Sequence, residues 1–389
     1  MGTKLSLANK GDVSTTALGG HGRMAPRAPR LAPLAAALLA LGMLAGCASQ
    51  PADKPAAPAD TTTAPAVANP ATTQAVAPVK ADAPISRTAQ APGFVRMQMG
   101  AITVTALYDG KVEIDAKLLK GKSAASIAQL LRQGKQPANT GVQTAVNAFL
   151  LDDGKHKVLV DTGAAGNMGA TAGRLLESLA SAGYSAAEVS AVLLTHLHPD
   201  HAGGLLRDGV AAFPNAHIYA AKEDADFWLS DDVAKKAPAA AAGVFAAAQK
   251  AVAPYVAEQR FHTFGAGKLP IEGFDAIALH GHTPGHTGFQ VQSGGETLLL
   301  WGDVVHSHTT QFADPSVALE YDSDAKKARA TRIKLMREVA KSGVWIAGAH
   351  MPFPGIGRVL PQGKAYRWLP LDYSQALSDA AKRQPDSKR

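Results

Sequence analysis

The chain has one cysteine, Cys47, in 389 residues. A single thiol excludes an intrachain disulfide, and it excludes cysteine as a nucleophile or metal ligand anywhere beyond residue 47. No Gly-x-Ser-x-Gly elbow occurs, so the strand-turn-helix serine hydrolases are not indicated. No apolar run reaches the roughly 20 residues that span a bilayer; the longest, Leu31 to Leu44, follows Arg23, Arg27 and Arg30. A basic stripe for nucleic acid is missing too. Of the net charge of +7, residues 1–46 carry +4, from five basic residues against Asp12. The C-terminal residues Lys382, Arg383, Lys388 and Arg389 supply much of what remains, and no nucleic-acid partner is expected.

What is present divides the chain into four parts. Residues 1–46 read as a secretory signal: basic residues, a short apolar core, then the small residues Ala45 and Gly46 before Cys47. Met24 is a natural start for it, since residues 1–23 carry no signal of their own. Leu44-Ala45-Gly46-Cys47 resembles the lipobox of bacterial lipoproteins, which implies cleavage before Cys47 and lipid on its sulfur. An ordinary signal peptide or an uncleaved anchor are the alternatives. Ala48 follows the cysteine with no Asp to suggest inner-membrane retention, so the lipoprotein rule favours an outer-membrane anchor facing the periplasm. Residues 47–92 are rich in Ala, Pro and Thr. With hardly any large apolar side chains they cannot offset their ordering entropy, and a disordered tether is expected. Residues 93–375 should form one folded domain, and 376–389 a basic, disordered tail.

Within the domain, Ala101–Leu107 reads as a strand ended by a turn at Tyr108-Asp109-Gly110. Ala145–Leu151 and Lys157–Val160 read as a hairpin around Asp153-Gly154. A helical stripe at Ala172, Leu175, Leu176, Leu179 and Ala180 closes at Gly183, and Ser185 to Glu188 offers a capping box. Ala191–Thr195 is a short buried strand. His217–Ala220, Phe289–Gln292, Thr297–Trp301 and a last strand, Val344–Ala347, follow. Helices are expected over Glu223–Ser230, the Ala-rich stretch 239–252 and Ala325–Lys341. Strand pairs followed by helices, twice over, suggest a layered α/β body with its sheets inside.

The chemistry gathers at His196-Leu197-His198-Pro199-Asp200-His201. Alternate residues of an extended segment point to opposite sides, so His196 and His198 can share one ion. Asp200 and His201 come after the chain turns and can face a second. Imidazole and carboxylate together suit zinc and other first-row divalent metals. Three later positions could complete a site: His286 in HGHTPGHTG, Asp303 after the apolar run Leu298–Trp301, and His350 after Trp345–Ala349.

Taken together, APGFVRM at 91, VLVDTGAAG at 158, THLHPDHAGGL at 195, DADFWLS at 224, HGHTPGHTGF at 280, GDVV at 302 and HMPFPGIG at 350 resemble the metallo-β-lactamase superfamily. The likeness is greatest to methyl parathion hydrolase and its quorum-quenching lactonase relatives, over roughly residues 91–375. It implies an αββα four-layer sandwich and a site for two divalent ions, Zn²⁺ by default, with Mn, Co or Fe also compatible. His196, His198 and His286 would hold the first ion, Asp200, His201 and His350 the second, and Asp303 would bridge both, with a hydroxide between them. Asp303 and Asp200 would be the catalytic carboxylates, Asp200 also relaying a proton to the departing oxygen. Asp161 matches a further acidic position of the superfamily, either behind the ligand loop or as a turn cap. His280 and His282 lie beside His286 and could compete for its place; the family pattern puts the ligand at the last of the three, which leaves His282 to structure the loop or to back a ligand. Trp228 and Phe245 could wall an apolar pocket or pack in the core, and Met168 stands where the branch tends to have an aromatic. His306 and His308 read as rim positions, and His217 and His262 have no partner by spacing.

The resemblance implies hydrolysis of an ester-like bond in a small molecule, either a lactone of the acyl-homoserine type or an organophosphate triester. A β-lactamase fits less well, because those enzymes generally lack a bridging Asp. A flavo-diiron enzyme fits less well because His198 is not Glu. A non-catalytic lipoprotein binding module is the reading from another class. A homodimer is left open.

Overall fold

The computed structural model describes residues 90–373 apart from 92, 139–140, 266–268 and 270. Cys47, the signal and tether readings and the tail 376–389 therefore lie outside the described residues. Among the described residues, no helix is long and apolar enough to cross a membrane.

Among the described residues, thirteen strands build the two main sheets. The first holds β1 (Phe94–Met99), β2 (Ile102–Asp115), β3 (Gly141–Asp152), β4 (Lys157–Val160), β5 (Ala191–Leu193), β6 (His217–Ala221) and β7 (Phe261–Phe264). The second holds β8 (Phe274–Ala278), β9 (Thr287–Ser293), β10 (Glu296–Leu300), β11 (Trp345–Ala347), β12 (Ile356–Gln362) and β13 (Ala365–Pro370). In both sheets the spatial order is the order along the chain. The first sheet opens with antiparallel pairs and becomes parallel from β4 to β7. The second is antiparallel except where β10 runs parallel to β11.

Parallel neighbours need crossover connections, and helices supply them. The helices are α1 (Ala124–Gln133), α2 (Leu175–Ser181), α3 (Pro199–Ala202), α4 (Lys222–Trp228), α5 (Asp231–Lys236), α6 (Ala242–Ala257), α7 (His308–Ala313) and α8 (Ala325–Ser342). The strands read as unbroken apolar runs because both of their faces are covered. In β4, Val158 and Val160 face the other sheet while Leu159 packs toward α2 and α6. In β10, Leu298 and Leu300 face the first sheet while Leu299 packs with Leu335, Met336 and Val339 of α8. The period-two alternation thus serves two apolar layers at once. The result is the expected αββα sandwich, with α2, α4 and α6 on one outer face and α8 on the other.

Some sequence expectations shift. The turn expected at Tyr108-Asp109-Gly110 is a bulge inside β2, with the strand continuing to Asp115. The extra residue lets Asp109 turn inward, where it accepts hydrogen bonds from the backbone of Ala164, Gly173 and Leu175. The strand expected to be last is followed by β12 and β13. The Ala-rich stretch is a covering helix, α6, which buries Phe245, Ala248, Ala251, Val252 and Tyr255.

Candidate metal centre

Five loops bring polar side chains to one edge of the sandwich. The loop after β5 carries His196, His198, Asp200 and His201. The loop before β9 carries His282 and His286. Asp303 and His306 follow β10, and His350 follows β11. Because β10 and β11 are parallel neighbours, Asp303 and His350 emerge side by side. Asp161 follows β4, the neighbour of β5.

Asp303 is the hub. Its Oδ1 lies 3.1 Å from His201 Nε2, and its Oδ2 lies 3.7 Å from His196 Nε2, 3.3 Å from His282 Nε2, 3.1 Å from His350 Nε2 and 2.9 Å from His306 Nε2. Asp200 Oδ2 stands 3.7 Å from His201 Nε2 and 3.4 Å from His350 Nε2. His198 Nδ1 is 3.0 Å from His282 Nε2. Two groups of donor atoms result: His196, His198, His282 and Asp303, and Asp200, His201 and His350. A third overlaps them through Asp303, His306 and His350.

The rings are aimed by what holds their other nitrogens. Thr195 Oγ1 lies 3.1 Å from His196 Nδ1, and Asp161 Oδ2 lies 2.9 Å from His201 Nδ1. Asp322 Oδ1 lies 3.0 Å from His282 Nδ1, and His350 Nδ1 donates to Ala145 O at 2.8 Å. Such partners fix tautomer and orientation. Asp161 itself sits at φ +61°, held by hydrogen bonds from the backbone N–H and the hydroxyl of Thr195.

The sequence reading of the histidines after β8 is corrected here. His286 does not face the other donors. Its Nε2 accepts the backbone N–H of Asp303 at 2.9 Å, so its Nδ1–H donates to Leu279 O at 3.0 Å. Both nitrogens are spent on backbone, and the ring positions the hub residue. His282, expected to structure the loop or to back a ligand, stands with His196 and His198 instead. His306, expected at the rim, is buried beside Asp303. Of the two readings of Trp228 and Phe245, core packing is the one found: both are buried between α4, α6 and the first sheet, and neither walls a pocket. Trp228 still matters to the site, because its ring meets the His198 ring edge-on at 5.1 Å. Met168 is half-buried on the loop after β4.

Three residues had no signal of the expected kind. Asp224, on α4, accepts from Leu197 N and Gly285 N, both at 2.9 Å, and so ties the two ligand loops together. A clue existed: Asp224 lies four residues before Trp228, on the buried face of the helix, and a buried carboxylate needs partners. Asp322 backs His282. Tyr321 meets the rings of His282 and His306 edge-on.

Burial and neighbouring histidines hold His196 and His198 well below the ordinary imidazole range, and burial takes His286 down to about 3. His201 and His350 go the other way. Burial opposes their protonation but is outweighed by Asp303 and Asp200, and at His201 also by Asp161. Burial would raise Asp303, yet His201, His350, His306 and His196 hold it well below the carboxylate range. The centre thus offers neutral imidazoles on one side and favours positive charge on the other. Among the described residues, His196 Nε2, His201 Nε2 and Asp303 Oδ1 are buried without any hydrogen-bond partner. Native structures rarely leave such atoms orphaned. Divalent ions fit this donor set and would satisfy all three.

The comparisons agree with the geometry. Residues 141–341 match the model of the metallo-beta-lactamase superfamily. A solved structure described as hydrolase AbOPH in the beta lactamase superfamily is 41% identical; the match covers 74% of this chain and 100% of that one, with a TM-score of 0.70. Another, AidC, described as a dizinc quorum-quenching lactonase in complex with the product N-hexanoyl-L-homoserine, is 26% identical, with 72% and 98% covered and a TM-score of 0.66. No curated protein matches. Its strand order, its clustered histidines around Asp303 and these likenesses make the chain a member of the metallo-beta-lactamase superfamily, a hydrolase of that fold with a buried His/Asp centre suited to metal.

Proposed function

We propose that the protein is a dinuclear metal-dependent hydrolase that opens lactones of the acyl-homoserine type, with zinc as its metal. The observation that carries this is the two groups of donors, one containing Asp303 and the other within 3.1 Å of it through His201 and His350. The likeness to a dizinc lactonase supports the substrate class. One ion would be held by His196, His198 and His282, the other by Asp200, His201 and His350, with Asp303 serving both. Bound divalent ions supply a nucleophile from water near neutral pH and polarise a substrate oxygen.

The chain's own residues do the rest. His286 and Asp224 fix the loops that carry the donors. Asp161, Asp322 and the carbonyl of Ala145 hold the rings in one tautomer. Trp228 keeps water from the back of His198. Asp200 keeps 14% side-chain exposure against 2% for Asp303. It is therefore the carboxylate placed to exchange a proton with solvent or with the departing oxygen.

The test is hydrolysis of an acyl-homoserine lactone and of a phosphotriester by the zinc-loaded chain, in ¹⁸O-labelled water, with and without chelator. The expected result is lactone turnover with label in the acid product, lost on chelation. Full activity after metal removal, or a trapped acyl-enzyme, would sink the mechanism. Turnover of the triester alone would move the substrate class. We also propose that the chain is exported and anchored by lipid on Cys47, a reading supported by Leu44-Ala45-Gly46-Cys47 and the basic and apolar segment before it.

A further inference from the structure

His306 is a buried titratable side chain that the proposed reaction leaves unused. It lies three residues after Asp303 and is 3% exposed. Neither of its ring nitrogens has a hydrogen-bond partner among the described residues. Its Nε2 lies 2.9 Å from Asp303 Oδ2, the same oxygen that faces His350 Nε2 at 3.1 Å. The rings of His306 and His350 are stacked, 4.8 Å apart and 24° from parallel. They present the same edge to one carboxylate oxygen. The donor atoms of Asp303, His306 and His350 all lie within 4.8 Å of one another.

The ring is held in this place by its backbone. The His306 N–H donates to Gln311 Oε1 at 2.8 Å, and its carbonyl accepts from Thr144 Oγ1. Gln311 is itself buried at the end of a donation to Val317 O. A buried imidazole whose Nε2 has only a carboxylate oxygen that three other rings also face is under-satisfied, so a further partner is to be expected for it. Neutral imidazole is a common ligand for first-row metals.

We propose that His306, through Nε2, is a further ligand of the ion held by Asp200, His201 and His350. The inference rests on the two-ion reading above. It makes the centre unequal. The ion near His196, His198 and His282 would have four protein donors counting Asp303, whereas its neighbour would have five. Zinc prefers four ligands in closed sites and accepts five. The five-donor site therefore suits metals that readily take higher coordination, such as cobalt or manganese, better than its neighbour does.

The experiment compares the wild type with His306→Phe and His306→Gln. Each protein is loaded with Co²⁺, its ions are counted by elemental analysis, its affinities are measured by chelator competition, and its visible absorption is recorded. The expected result is two ions in the wild type, with one of them held at least about ten-fold more weakly in both variants. One cobalt band should also intensify as the coordination number falls. Unchanged affinities and an unchanged spectrum in the variants overturn the assignment, even if turnover falls, because the ring would then serve the substrate and not the ion. Fewer than two ions in the wild type overturns the two-ion reading and this inference with it, so the two failures show in different proteins. If the phenylalanine variant does not fold, His306→Gln, polar and of similar volume, decides.

Discussion

Asp224 shows how much one side chain outside the donor set can govern. It is fully buried, and burial raises its carboxyl to about 6 from a usual 3.8, against the hydrogen bonds that favour its charge. A folded-state pKa above the unfolded one means that the folded chain binds the extra proton between those two values. Stability should therefore fall as pH rises from about 4 to about 6 and level off above. The whole effect is roughly 3 kcal/mol. Asp224→Asn removes this titration and leaves one of the two backbone N–H groups without an acceptor, at a pH-independent cost of about 1–3 kcal/mol. Urea unfolding of both proteins across this range should show the wild type's advantage shrinking as pH rises; an advantage that stays constant would refute the assignment. The side chains that could be read from the sequence were those whose role follows from local spacing, above all His196 to His201. The choice between His282 and His286 could not be read that way. The two share one short motif, and what separates them is that a backbone N–H from Asp303, seventeen residues on, claims the second ring. The burial of His306 was equally hidden, because it depends on α7 and β3 folding over it.

The turn leaving β10 is the element on which the centre most depends. Gly302 has φ +54°, in the left-handed region that favours glycine. A Cβ there would come within 2.5 Å of His286 Nε2 and 2.9 Å of Thr195 Cβ. Gly302→Ala should cost about 1–3 kcal/mol from backbone conformation alone, and it should push His286 off the N–H of Asp303. The expected outcome is a lower melting temperature together with a large loss of hydrolysis; a variant as stable and active as the wild type would show that the turn relaxes freely. Elements with strong local patterns were legible: β4, β5, β10 and α8 stand within a residue or two of their sequence-based bounds. Their alternating or unbroken apolar runs are produced by the layers they separate. The bulge at Asp109 reads as a turn in the sequence because Tyr-Asp-Gly carries turn chemistry, and only pairing with β3 keeps the strand going. Strands β12 and β13 are hidden in the sequence because Arg358, Pro361 and Arg367 interrupt their apolar pattern.

At the scale of the whole molecule, the four layers could be expected from the alternation of strand pairs and helices, whereas the order of strands within each sheet could not. Export belongs to this scale too. Mass spectrometry of the mature chain should find it starting at a lipid-modified Cys47; a mature chain that retains residues 30–46 would rule the anchor out. The donors are shared between distant parts of the chain, with His196 to His201 near its middle and His282, Asp303 and His350 much later. Neither stretch holds a full set, and the sheets must pack before the two come together. A partly emerged chain therefore cannot assemble the centre until residue 350 has joined it and the second sheet has closed on the first. The donor set closes only with the last part of the fold, and any copy cut short before residue 350 lacks a donor that the finished protein has.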